Sequence, residues 1–135
     1  MRKLILLAAI IFMGFYAEHA NASSESEKSE ESEYVKLDPL ILPVIDEDGV
    51  YQVLSLVVFI EVDGITDADK VKAKKPKLKD AYIQDMYGAL NESAAIRDGI
   101  IQVKIIKKRL NNITHDIMGD VNTEVLLQVV QQRPI

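Results

Sequence analysis

The sequence predicts a small α+β domain, an antiparallel sheet with helices on one face, in the order β-β-α-α-α-β. Three patterns carry that prediction. Between Val50 and Val62 apolar residues alternate, the period of two that a strand imposes. From Leu78 to Ile117 they recur at three- and four-residue spacings, the period of a helix. From Val125 to Val130 the alternation returns, and a last strand of this kind buries its apolar side only by rejoining the first sheet. The long strand, Val50 to Val62, is its expected neighbour.

Taken in order, Tyr34 to Pro43 is apolar and extended. Pro39 and Pro43 have no N–H to give to a ladder, which confines this stretch to a sheet edge. Asp46-Glu47-Asp48-Gly49 has the composition of a turn, so a hairpin joins it to the next strand. In that strand Leu54, Leu56, Val58, Ile60 and Val62 form a wholly apolar face, while Val53, Ser55, Val57, Phe59 and Glu61 form a mostly apolar one. Such a strand belongs mid-sheet with helices against its apolar face.

Asp63-Gly64 ends the strand, and Thr66-Asp67-Ala68-Asp69 supplies a cap and acidic residues for a helix start. Pro76 is expected to interrupt this lysine-rich helix, since it lacks an N–H and crowds the preceding turn. A second helix from Lys77 to about Leu90 places Leu78, Tyr82, Ile83, Met86 and Leu90 on one side, with Gly88 weakening its last turn. After a link at Asn91 to Ser93, a third helix follows through Ile96, Ile100, Val103, Leu110, Ile113 and Ile117. Its far side carries Lys104, Lys108 and Arg109. Asp120 closes the helical region.

Ahead of this body stand two segments of different character. Arg2 and Lys3 precede an apolar run from Leu4 to Tyr16, and Ala20-Asn21-Ala22 follows, the order of a secretory signal over residues 1–22. As a helix the run spans about 20 Å against a hydrocarbon core of about 30 Å, short for an anchor. Periplasmic localisation is expected; the alternative is a short signal-anchor that fixes a periplasmic domain to the inner membrane. Residues 23–33 hold five Glu, one Lys and no apolar residue, which reads as an acidic, disordered tether to the body at 34–135.

The body carries 13 Lys or Arg against 15 Asp or Glu, a balance that does not indicate nucleic-acid binding. The chain has no cysteine, so neither disulfides nor thiolate metal sites are available and packing alone must hold the domain. After residue 22 the one histidine is His115, near a helix end. A catalytic centre brings a nucleophile and a base, or several metal ligands, to one place, and no such set is legible. The chain therefore reads as a non-enzyme with no catalytic, cofactor-binding or metal-ligating residues. The acidic clusters at Asp46 to Asp48 and Asp63 to Asp69 lack calcium-loop spacing and are explained as a turn and a helix start. Asn91-Glu92-Ser93 and Asn112-Ile113-Thr114 match the glycosylation triplet by letter only.

The positive charge is more distinctive. Lys70, Lys72, Lys74, Lys75, Lys77 and Lys79 fall within ten residues, and with Lys104, Lys108 and Arg109 they form the candidate contact surface. Its plain reading is a solvated helix face. Its functional reading is contact with an anionic membrane surface or an acidic partner, at about 1 kcal/mol per lysine near a lipid surface.

In their order these pieces resemble the periplasmic domain of the FliL family, the flagellar basal-body-associated proteins. The matching segments are Tyr34-Val35-Lys36-Leu37-Asp38-Pro39 after a polar tether, Tyr51-Gln52-Val53-Leu54 opening the long strand, Pro76-Lys77-Leu78-Lys79-Asp80-Ala81 in a helix, and Val125 to Gln131 as a terminal strand. Lys79 stands where the family usually has arginine, and Met86-Tyr87-Gly88 replaces a leucine-serine pair. The resemblance implies a stomatin-like (SPFH-like) fold and a non-enzymatic role in motility. Its implied partners are flagellar stator or basal-body proteins, with homo-oligomerisation in the manner of the family. The alternative is a soluble exported scaffold or binding module that contacts a membrane surface or an envelope protein unrelated to motility.

Overall fold

Eight elements make up the chain described by the computed structural model, which covers residues 31–91 and 95–135. The sheet is organised around β3 (Gly49–Asp63). One edge of β3 pairs antiparallel with β1 (Ser32–Lys36) near its C-terminal end and with β2 (Leu40–Asp46) near its N-terminal end. Its other edge pairs antiparallel with β6 (Thr123–Pro134), from Gln52↔Pro134 to Val62↔Thr123. β1 and β2 are therefore two halves of the expected first strand, laid end to end. They part at Asp38 and Pro39, although the Leu37 N–H still donates to the Val58 carbonyl at 3.0 Å.

The alternation in β3 sets the core. Leu54, Leu56, Val58, Ile60 and Val62 are each no more than 1% exposed, and Val35, Leu42, Val44 and Val125 join them on the same face. Truncating any one of these leucines to alanine removes buried methyl groups and leaves a cavity, at about 2–5 kcal/mol. Two helices cover this face: α1 (Gly64–Asn91) and α2 (Val103–Met118). They bring Val71, Leu78, Tyr82 and Met86 from one, and Ile106 and Leu110 from the other, all fully buried. The fold is thus α+β, with an antiparallel sheet and its helices on one face.

Two helices, where three are expected, is the first correction. Pro76 does not end the helix; α1 runs unbroken from Gly64 to Asn91. Pro76 and Lys72 are both exposed, so the Lys72 carbonyl that loses its helical N–H donor is solvated instead. Val71 before the proline and Leu78 after it anchor both halves in one core. Packing outweighs a local cost of about 3 kcal/mol.

The second correction concerns residues 96–101. Ile96–Arg97 (β4) and Ile100–Ile101 (β5) form a hairpin, and the helix begins only at Val103. Asp98 at φ 52° and Gly99 at φ 75° make its two-residue turn, the left-handed pair that Asp-Gly supplies most readily. The hairpin resets the helical phase. The buried stripe of α2 is Ile106, Leu110, Thr114 and Met118, while Ile100 and Val103 are 64% and 43% exposed.

Smaller differences follow. Ser32 and Glu33, expected to close the tether, open β1 opposite Asp63 and Val62. A bulge between Val57 and Val58 shifts the register in β6, so Val125, Leu127 and Val130 pack toward the core. The signal assigned to residues 1–22 and most of the tether lie outside the described residues. Among the described residues no helix is long and apolar enough to cross a membrane.

Candidate contact surface

At 100° per residue, the six lysines of α1 do not share a face. Lys70, Lys74 and Lys77 fall within about 60° of one another on one flank of the buried stripe. Lys72, Lys75 and Lys79 form a second row on the other flank. The first row borders α2, where Lys74 Nζ donates to the Ile117 carbonyl at 2.9 Å. The second borders the strands, where Lys79 lies 3.9 Å from Asp38. There Leu37, Asp38, Lys75, Pro76 and Lys79 line a shallow cleft of about 170 Å³.

Part of this charge is answered within the helix. Lys70 pairs with Asp67 at 2.6 Å and Lys72 with Asp69 at 2.9 Å, each three residues apart on exposed surface. Such pairs contribute about 0–1 kcal/mol and leave the lysines accessible. Lys77 is exposed, as are Lys104 and Lys108 on α2.

Arg109 has a different position. Its Nε and Nη2 each donate to Asp85, at 2.7 Å to Oδ2 and 2.7 Å to Oδ1. This planar, two-bonded clamp joins α2 to α1 and holds the helices together, while the Arg109 side chain remains 37% exposed. The fully buried hydroxyls of Tyr82 and Thr114 make a second tie between the helices. Thr114 donates its one proton to the Leu110 carbonyl at 2.7 Å, which leaves Tyr82 as the donor to Thr114. Burial pushes the Tyr82 phenol up to about 12. Because Thr114 is buried, the triplet that begins at Asn112 is a structural segment.

A surface that the sequence reading did not single out is the other side of the sheet. Val53, Val57, Phe59 and Leu126 are half-buried there, with no helix of the described residues over them, and Ile41 is 68% exposed. The signal was present in the mostly apolar second face of β3. Lys36 lies 5.9 Å from the centre of the Phe59 ring. At the Asp63 end Glu61 accepts a hydrogen bond from the Tyr34 hydroxyl at 3.3 Å, and its charge raises the Tyr34 pKa. Glu124 pairs with Lys107 at 2.8 Å, and that bond holds its carboxyl below the usual range.

The acidic groups have structural partners. The Asp48 N–H donates to Asp46 Oδ1 at 2.9 Å within the β2–β3 turn, and Asn122 Nδ2 donates to Asp63 Oδ2 at 2.9 Å. Glu61, Asp63, Asn122, Thr123 and Glu124 line an open cleft of about 220 Å³. Among the described residues no three His, Asp or Glu side chains converge where a metal ion could be held. His115 is exposed near the end of α2, with its carbonyl accepting the Gly119 N–H at 2.9 Å.

The chain matches no protein-family model and no curated protein.

Proposed function

We propose that this protein is a FliL-like, non-enzymatic component associated with the flagellar basal body or stator, exported to the periplasm and acting through surface contact to support rotation. The observation that carries the reading is the ordered set of four segments, from Tyr34–Pro39 to Val125–Gln131, occupying β1, β3, α1 and β6 of one α+β domain. A stomatin-like topology is part of the same proposal. Contact falls to the lysine rows of α1, with Lys104 and Lys108 on α2, facing stator or basal-body proteins. Deleting the gene and measuring swimming speed through viscous medium tests it. Slower swimming under load is expected; wild-type swimming would remove the motor role.

The lysine rows also favour a second reading, a soluble exported scaffold bound at an anionic membrane surface or an envelope protein. Gene neighbourhood separates the two, since flagellar neighbours support the first. Charge-reversed rows that still bind anionic vesicles at low salt would remove the second.

A further inference from the structure

The lysine row on the strand side of α1 stands beside the point where the acidic segment joins the domain. Ser32 is the register partner of Asp63, and α1 follows Asp63 directly. β1 and β2 lie along the one edge of β3 that Lys72, Lys75 and Lys79 border, whereas Lys70, Lys74 and Lys77 border α2 on the other flank. Register partners share a face of the sheet, so Glu33, opposite the buried Val62, turns toward the helices. The segment ahead of it is delivered to the flank of one row only.

That row carries charge which the domain does not fully answer. Between Asp67 and Lys79 six lysines meet two aspartates. Lys72 is bonded to Asp69, Lys79 lies 3.9 Å from Asp38, and Lys75 has no acidic partner among the described residues. The two aspartate side chains are 66% and 74% exposed, so their pairs are weak and open to exchange. Lys75 and Lys79 also line the cleft that holds Leu37 and Pro76.

We propose that the acidic segment at 23–31, most of it outside the described residues, binds this row within the same molecule, with Glu30 toward Lys72 and with Glu25 and Glu27 toward Lys75 and Lys79. Three properties select this occupant. Its charge has the required sign, since residues 23–33 hold five Glu against one Lys. Its length suffices: Lys72 and Lys79 stand about 12 and 22 Å along the helix from Gly64, and residues 23–30 reach at most about 27 Å. Its spacing fits, because glutamates two apart in an extended chain are separated by about 6.6 Å, close to the rise of about 6 Å from Lys75 to Lys79. A ligand joined to its site by so short a connection is present at an effective concentration on the order of millimolar. With the strand-side row so covered, Lys70, Lys74 and Lys77 are the row left open to a partner. That consequence rests on the contact role proposed above; the docking itself does not.

Limited acetylation at low salt, read lysine by lysine by mass spectrometry, tests the docking in the full chain and in a chain carrying Glu25→Gln, Glu27→Gln and Glu30→Gln. Lys75 and Lys79 should react more slowly in the native chain by about twofold or more, while Lys77, Lys104 and Lys108 react equally in both. Salt at about 0.5 M should abolish the difference. Lys75→Glu in the native chain, with unchanged far-ultraviolet dichroism, should bring Lys79 to the rate seen in the glutamine variant. Equal rates for Lys75 and Lys79 in the two chains would overturn the proposal and leave the row to an external partner. So would protection spread evenly over Lys77, Lys104 and Lys108, the mark of a general field without a site, or a Lys79 that stays protected beside Lys75→Glu.

Discussion

Asn111 Oδ1 lies 2.7 Å from the Val125 backbone nitrogen and takes the hydrogen bond that a further strand would otherwise make. Asn91 treats Ile45 in the same way on the opposite side of the sheet. Both asparagines come from helices, so the packing of α1 and α2 on the core face also caps one outward N–H on each edge. Asn91 Nδ2 in addition donates to the Tyr87 carbonyl at 2.7 Å and so finishes its own helix.

Asn111→Ala should leave the partly buried Val125 N–H without its partner and lower stability by about 1–2 kcal/mol. Asn111→Asp keeps an acceptor oxygen and should cost less. Urea denaturation of the three chains gives the order, and thioflavin binding on storage should rise for the alanine variant alone as its edge opens.

Pro76→Ala should stabilise the protein. The substitution returns an N–H to the Lys72 carbonyl and removes the ring's crowding, worth about 3 kcal/mol in a helix interior. The more flexible unfolded chain takes back up to about 1 kcal/mol. A net gain near 2 kcal/mol in thermal or chemical denaturation is expected, without change of fold.

The Arg109–Asp85 clamp and the lysines of the same helix should separate cleanly in stability. Arg109→Ala breaks two charge-assisted bonds in a partly buried site and should cost about 1.5–3 kcal/mol. Lys104→Ala and Lys108→Ala, on exposed positions, should stay within about 0.5 kcal/mol of the native chain. Calorimetry on the three variants checks this.

Tyr82 gives the protein an alkaline limit. Its phenol is raised to about 12 in the folded state from an ordinary value of 10.0. Below pH 10 both states keep the proton and stability is complete. Between pH 10 and about 12 the unfolded chain releases its proton while the buried phenol does not, so stability falls, by on the order of 2 kcal/mol across the window. Tyr82→Phe should be less stable at neutral pH, having lost the bond to Thr114, but the additional decline above pH 10 should shrink. The difference between the two stability–pH curves is the readout.

Legibility in the sequence followed the strength of each physical signal. The β3 face from Leu54 to Val62 was readable because strict alternation over nine residues has no helical counterpart, and it was found fully buried. In α1, Leu78, Tyr82 and Met86 were readable for the same reason in helical period, while Ile83 at the edge of the stripe is 37% exposed. Pro76 misled because propensity is local, and the core on either side of it outweighs it. Asp98-Gly99 was legible as a hairpin turn but was overrun by a helical spacing that Ile96, Ile100 and Val103 match by coincidence. The lysines were found as a cluster in sequence, yet only the helix shows that they form two rows and that Arg109 is tied to Asp85. The open sheet face was half legible, since a second apolar face can equally be read as one to be covered within the domain.

The role of the α1 surface in a motor is tested most directly by torque at high load, in host cells whose only copy carries Lys70→Glu, Lys74→Glu and Lys77→Glu. Torque should fall to the level of the gene deletion while the purified variant keeps a native dichroism spectrum; torque equal to that of the unmodified strain would contradict contact through this row.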